Sequence, residues 1–391
     1  MTSVEQAIRL VNKYTKTTEK TTTIAVSASI GSVLAKDIVS PINMPPFRQS
    51  AMDGYALGSV EEKSFSLVGE VQAGDNTDPN IAKGEAIRIF TGAPVPSGAK
   101  AVVMQEKVII DNNTVVLQEA ASLDSNIRPE GEQIKKGEIA LAKGTVITPA
   151  GIGYLATLGI THVEVYQKPS IAIIATGNEL IPPGQSLQHG QIYESNSVML
   201  STALNASGFS NIEFYKVEDE YNATKTILEK ALQEYDVVLI SGGISVGDYD
   251  FAGKALRDIG VEEIFYKVKQ KPGKPLFFAE KDNTTIFALP GNPASSLSCF
   301  YIYVIPALLK ISGYAENSLP RSTAISDGTY IKKGERAEFL KATVKDQKVT
   351  ILDGQASSML RSFALANVIV YLPEEVTEVG PGDALQIINL P

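Results

Sequence analysis

The sequence predicts a multidomain protein of the α/β plus β class. A central α/β domain built on a parallel sheet lies between a β-rich N-terminal domain and a small C-terminal β domain. Three observations carry this reading. From residue 170 to 312, compact apolar runs alternate with helix-period patterns, as expected of parallel strands joined by crossover helices. Residues 60 to 148 are short strand-like runs separated by Gly, Pro and Asn turns. After Gly313 strand signals return, punctuated by Ser326-Asp-Gly328, Asp353-Gly354 and Pro381-Gly-Asp383.

In chain order, Val4, Ala7, Ile8 and Val11 recur at helical spacing ahead of a Thr-rich break, Thr15 to Thr23. The proline-rich segment "SPINMPPFRQSAMDGYAL" leads into the β-rich region. Pro149 to Leu158 reads as helix and Thr161 to Tyr166 as strand, with a boundary at Lys168-Pro169. Ser170 to Thr176, Asp236 to Ile240 and Thr285 to Leu289 are the expected buried strands. Between them, Ser197 to Ala206, Ala223 to Leu232 and Phe251 to Ile259 are helical. A further helix starts at Pro293, with Asn292 placed to cap it and Leu297, Phe300, Tyr301, Val304 and Leu308 on its core face. The expected domains are 1–40 with 140–168 as a linking region, 41–139 as the β-rich domain, 169–312 as the α/β domain and 313–391 as a β-barrel-like domain.

A length of 391 residues suits roughly two to four domains. Apolar content of 44% and charged content of 20% are those of a globular chain. A net charge of −9 argues against wholesale binding to nucleic acid or anionic membrane. The single cysteine, Cys299, excludes an intrachain disulfide, and the first residues lack a signal-peptide pattern. No apolar run approaches the roughly 20 residues that span a bilayer, so the expected compartment is the cytoplasm. Two histidines, His162 and His189, are too few for a His-rich metal site or a His-based triad.

Ligands of open α/β sheets bind beyond the carboxyl ends of the strands. Three expected strands end there in conspicuous loops: Thr176-Gly-Asn-Glu179, "SGGISVGDYD" from Ser241 to Asp250, and Pro290-Gly-Asn292. Taken alone, each reads as turn glycines and helix-capping acids. Together at one edge they point to a phosphate-bearing ligand, because helix starts beneath glycine turns offer free N–H groups and partial positive charge. Neither the P-loop pattern nor GxGxxG spacing is present. Lys267, Lys269, Lys271 and Lys274 then fall within eight residues. In an extended segment the first three share one face, and the Pro-Gly turn returns Lys274 to them. They read either as protection of an exposed edge strand or as cations for an anionic ligand. Cys299, inside an apolar helix, reads as a packing residue.

The motifs "PPFRQSAMDGYAL", "IFTGAPVPSGAKAVVMQE", "ATGNEL", "SGGISVGDYDF", "KPGKP" and "LPGNPAS" stand in the order of the molybdopterin molybdenumtransferase family, the MoeA proteins and the E domain of gephyrin. The chain resembles that family over nearly its whole length, more loosely from Ser318. The resemblance implies insertion of molybdate or tungstate into adenylylated molybdopterin with release of AMP, aided by Mg²⁺. It also implies a homodimer of four-domain subunits, with the linking region in dimerisation and residues 169–312 as the molybdopterin-binding domain.

The same resemblance implies Asp53, Thr91, Glu179, Asp250, Lys271 and Lys274 as catalytic residues. Ser241, Gly242, Gly243, Ser245, Gly247, Lys267, Pro290, Gly291 and Asn292 would bind the pterin ligand. Asp250, Glu179 and the weaker match Asp219 would manage the metal. Two positions depart from the family pattern: Gln133 where many members have an acid, and Arg48 where many have an acid after "PPF". The alternatives are a non-catalytic molybdopterin-binding scaffold and a molybdopterin adenylyltransferase, which uses a similar α/β domain. A pure scaffold would not require the full set Asp53, Thr91, Glu179, Asp250 and Lys271, and usual adenylyltransferases lack the long N-terminal β-rich region.

Overall fold

A computed structural model describes residues 1–243 and 251–391. It divides the chain into two units. Met1–Thr22, Gly31–Ala35 and Val165–Pro391 form the larger, and Thr23–Ile30 with Lys36–Glu164 the smaller.

Helix α1 (Val4–Tyr14) belongs to the larger unit. Ser3 accepts from the Gln6 amide at its start, and Val4, Ala7 and Val11 are buried on the predicted face. The smaller unit is built on six strands: β1 (Gly54–Leu57), β2 (Ser64–Val71), β3 (Glu85–Ile89), β4 (Ala101–Met104), β5 (Val108–Asp111) and β6 (Thr114–Leu117). Their order is β4-β1-β3-β2-β6-β5, antiparallel except for β2 against β3. All four residues of β1 are buried, since Ala56 packs with Ile87 and Val102 on one face while Tyr55 and Leu57 pack with Phe65 and Val103 on the other. Helix α2 (Pro149–Thr157) is capped by Thr148, with Pro149 in its first turn.

The larger unit carries the α/β sheet. Its elements run β7 (Ile171–Thr176), α3 (Asn196–Ala206), β8 (Ile212–Val217), α4 (Tyr221–Glu234), β9 (Val237–Ser241), α5 (Phe251–Asp258), β10 (Glu262–Tyr266), β11 (Gln270–Lys271), β12 (Phe277–Lys281), β13 (Thr284–Leu289) and α6 (Pro293–Ile311). The order β8-β7-β9-β13-β12-β10 contains four parallel strands. Every residue of β7, β9 and β13 is buried, which explains their unbroken apolar runs. Helices cover both faces: Leu200, Leu204 and α6 pack on Ile171, Ile173 and Leu239, while Leu228 and Leu256 pack on Ile174 and Ile240. The expected parallel sheet also gains two antiparallel strands, β12 and β10. A two-residue turn joins β12 to β13, with Asp282 at φ 53°, and so short a connection permits only antiparallel pairing.

Helix α6 changes hand-hold midway. Phe300–Val304 form a π turn in which the Ile305 amide donates to the Phe300 carbonyl. Pro306 follows immediately and lacks the N–H that a regular helix would direct at Ile302, so the wider turn absorbs the missing bond. Among the described residues, this 19-residue run, with mean hydropathy 1.5, meets the length and apolarity of a membrane-crossing helix, against the expectation that no apolar run approaches it. It is 78% buried in the fold, and packing accounts for its composition.

The chain ends in β14 (Arg321–Ser326), β15 (Ala337–Lys345), β16 (Lys348–Ile351), α7 (Leu360–Leu365), β17 (Val368–Leu372) and β18 (Ala384–Asn389). Pairings run β15-β16-β14-β18-β17 and back to β15, closing a small barrel that β11 joins from outside. The barrel holds Leu340, Val349, Val370 and Ile387 inside.

Candidate functional site

The parallel strands bring Thr176, Ser241 and Leu289 to one edge, since Ala175 aligns with Ser241 and Ser241 with Leu289. Strand β7 is flanked by β8 on one side and β9 on the other, so the chain reverses its direction of winding between β7 and β9. A crevice is expected at that place. A cleft of about 790 Å³ opens there. It is lined by Glu179 and Asp219, by Ser241, Gly242 and Gly243, and by Pro290, Gly291 and Asn292. Eight of the residues expected to hold ligand or metal therefore meet in one cavity. Asp250, Ser245 and Gly247 lie outside the described residues.

Local chemistry accounts for the glycines. Gly242 and Gly243 have φ of 89° and 64°, and a Cβ on them would meet the Thr176 carbonyl at 2.9 Å and its Oγ1 at 2.8 Å. Any side chain would collide with β7. Asp219 reaches the cleft through a reciprocal pair: its Oδ2 accepts from the Asn178 amide and its own amide donates to Asn178 Oδ1, both at 3.1 Å. Asn292 occupies the capping position of α6, as expected, but its side chain makes no cap. Its Nδ2 donates instead to Ser357 Oγ at 3.0 Å, beyond the barrel strand β16. Ser357 was not expected at the site, and no local spacing in the sequence signals it.

The lysines depart from the uniform extended run. Lys267 has φ 70° and lies over the Tyr266 ring at 4.7 Å, while Lys269 pairs with Glu374 at 2.5 Å. The shared face fails because β11 turns away to pair with β15. Lys271 Nζ lies 2.9 Å from Oε1 of Glu338, a carboxylate only 1% exposed whose other oxygen accepts from Tyr330 at 2.6 Å. Lys341, on the same strand as Glu338, is 1% exposed, and its Nζ donates to the Ala356 carbonyl at 3.4 Å. Burial, then the Lys271 charge, push its pKa down to about 8. Glu338 and Lys341 also escaped the sequence reading, being isolated charges within a strand. Lys274 is exposed, and its neighbour Pro275 lines the cleft. Cys299 is fully buried, with its thiol pushed up to about 12 by burial.

In the smaller unit, Asp53 Oδ1 accepts from the Thr91 amide and hydroxyl, both at 2.7 Å. These bonds, the amide first, hold the carboxyl below the usual range, and the Arg88 charge adds to them. Arg88 is fixed between Tyr55 and Phe90, 5.0 Å from each ring centre, and donates to the Gly54 carbonyl. Arg48 donates to the Ala99 carbonyl at 3.1 Å, and Gln133 is exposed. Among the described residues no group of three or more His, Cys, Asp or Glu side chains can enclose a metal ion. A cation that keeps waters and takes one or two carboxylates plus phosphate oxygens fits Glu179 and Asp219 without such a cage.

Three family descriptions match in order: the MoeA N-terminal region (domain I and II) over residues 2–159, the probable molybdopterin binding domain over 172–310, and the MoeA C-terminal region (domain IV) over 323–390. A protein from Staphylococcus epidermidis named molybdopterin molybdenumtransferase is 34% identical, covering 99% of this chain and 95% of its own length. A protein of that name from Haemophilus influenzae is also 34% identical, over 91% of this chain and 90% of its own. The crystal structure of the molybdopterin biosynthesis moeA protein from Pyrococcus horikoshii OT3 superimposes with a TM-score of 0.86 at 30% identity, covering both chains fully. With its fold and sequence matched over nearly the whole chain, it belongs to the MoeA family of molybdopterin molybdenumtransferases.

Proposed function

We propose that the protein is a molybdopterin molybdenumtransferase, inserting molybdenum from molybdate, or tungsten from tungstate, into adenylylated molybdopterin with release of AMP. The observation that carries this reading is the cleft at the β7/β9 switch point, where glycine turns, three carboxylates and the start of α6 converge. The substrates are anions, and bringing them together requires compensating charge. Lys271 pairs with Glu338 and lies near enough to Lys341 for its charge to depress that lysine's pKa, and two neighbouring cationic side chains suit an oxyanion. The glycine turns and the α6 start suit the phosphates. Mg²⁺ would neutralise phosphate charge, with Glu179 and Asp219 as its protein ligands. The dithiolene brings the sulfur for the metal, so the buried Cys299 need not ligate it.

The catalytic set extends to the ionised Asp53 held by Thr91, and to Asp250 beyond the described residues. The protein acts as a cytoplasmic homodimer of four-domain subunits, on small molecules without nucleic acid or membrane. Its charge of −9 supports the exclusion of nucleic acid. The deciding experiment supplies purified protein with adenylylated molybdopterin, Mg²⁺ and either oxyanion, and follows AMP. Oxyanion-dependent AMP release is the expected result. Binding without release would favour a scaffold, and ATP consumption with formation of adenylylated pterin would favour an adenylyltransferase.

A further inference from the structure

Behind the cradle, one side chain joins two of its loops. Asn196 opens α3, is 9% exposed and lines the cleft. Its Nδ2 donates to Ser241 Oγ and to the Gly291 carbonyl, each at 2.8 Å. Ser241 ends β9 and Gly291 follows β13, its neighbour in the sheet, so the amide spans two adjacent strand ends. The amide orientation is fixed by chemistry. A carbonyl can only accept, so the NH₂ group must face Gly291 and the oxygen must face elsewhere. That oxygen is buried and has no hydrogen-bond partner among the described residues, and the same holds for Thr176 Oγ1 on the same cleft wall. Unsatisfied buried groups of this kind are rare and collect at functional sites.

We infer that Asn196 is a positioning residue: its amide holds Ser241, at the end of β9, and Gly291, after β13, at the spacing the phosphate-bearing ligand requires. The ligand's identity rests on the transferase reading, whereas the clamp rests on geometry alone. Asn196→Asp tests it with nearly unchanged shape. An ionised carboxylate there cannot donate and repels the Gly291 carbonyl, so the loops separate. Burial raises a carboxyl pKa. As pH falls through that raised value, the protonated group regains an O–H for Gly291, and the Ser241 hydroxyl turns to donate to the other oxygen.

The cleft's other ionisable groups among the described residues, Glu179, Tyr193, Glu194 and Asp219, are the same in both proteins. Glu194 is itself engaged by the Ser197 amide and hydroxyl. The readout is therefore the ratio of variant to wild type at each pH. At pH 8 the variant's affinity for AMP and its KM for adenylylated molybdopterin should worsen by about five- to thirtyfold, the weight of one or two kcal/mol. At pH 6 most of the loss should disappear. Asn196→Ser, which is too short to span the loops, should lose affinity at both pH values. Hydrogen exchange of residues 237–243 and 289–292, corrected for intrinsic rates, should accelerate in Asn196→Asp at pH 8 and recover at pH 6. A loss that does not change with pH, or faster exchange without weaker binding, overturns the clamp, as does failure of the wild type to bind AMP. If the wild type binds AMP but never turns over, the transferase reading fails, and AMP affinity with loop exchange still decides the role of Asn196.

Discussion

Glu338 sets the terms for Lys271. A carboxylate that is 1% exposed needs its cation, and losing one partner of a fully buried pair costs about 3–5 kcal/mol. Lys271 is 35% exposed, so its loss costs less. Lys271→Gln should therefore lower thermal stability and weaken molybdate binding together, which leaves the lysine's role ambiguous. The double variant Lys271→Gln with Glu338→Gln separates the two, because a neutral amide at 338 no longer requires a cation. Its stability should recover while its molybdate affinity stays low. Recovery of both would make Lys271 purely structural. Lys341 gives the pH signature. Its folded pKa of about 8 lies below its ordinary value of 10.5, so between these values the unfolded chain holds more protons and stability rises with pH. Below pH 8 the buried charge opposes folding. Lys341→Met should raise Tm at pH 7, flatten the rise between pH 8 and 10.5, and weaken oxyanion binding. An unchanged pH profile would show that Lys341 is not the group titrating in that window.

The turn between β11 and β12 is the element on which the lysines depend. Gly273 has φ 86°, and a Cβ there would meet Cys299 Sγ at 2.5 Å and Gln270 Nε2 at 2.9 Å. Gln270 is fully buried and also engages Gly273 O at 3.2 Å and the Tyr303 hydroxyl. Gly273→Ala should lower Tm and reduce molybdate affinity by moving Lys271. In a Cys299→Ala background part of the loss should return, because the collision with Sγ is relieved while the Gln270 contact and the backbone strain of about 1–3 kcal/mol remain. No recovery would place the defect in the backbone and the Gln270 contact. Elements were legible where burial was complete or amphipathic spacing was clear: β7, β9, β13 and the helices between them lie within two residues of expectation. β10 and β12 were not legible. Glu262-Glu263 and Glu280-Lys281 cut short their apolar runs, and their place depends on a turn rather than on periodicity. Asn292, Ser357, Glu338 and Lys341 illustrate the same limit at the site. Each owes its role to a partner many residues away, a relation that spacing cannot encode.

At the scale of the whole molecule, the candidate residues are divided. Asp53 and Thr91 belong to the smaller unit, whereas Glu179, Asp219, Lys271 and the glycine loops belong to the larger. Composition and periodicity could separate these regions but could not say that they act together; only the family resemblance joined them. If active clefts in the proposed homodimer draw residues from both subunits, defects should complement. Asp53→Ala and Glu179→Ala homodimers should each be nearly inactive. In a heterodimer, one cleft then carries both defects and the other carries neither. Random exchange of equal amounts gives half heterodimers, so about a quarter of all clefts should be intact. AMP release should recover to about that fraction once subunits have exchanged. Heterodimers can be confirmed by purification through two different affinity tags, one on each variant. A tag-selected heterodimer with no activity would mean that Asp53 and Glu179 serve one cleft of a single subunit, and a monomer by light scattering would remove the premise. Activity near half of wild type in the selected heterodimer is the outcome that shared clefts require.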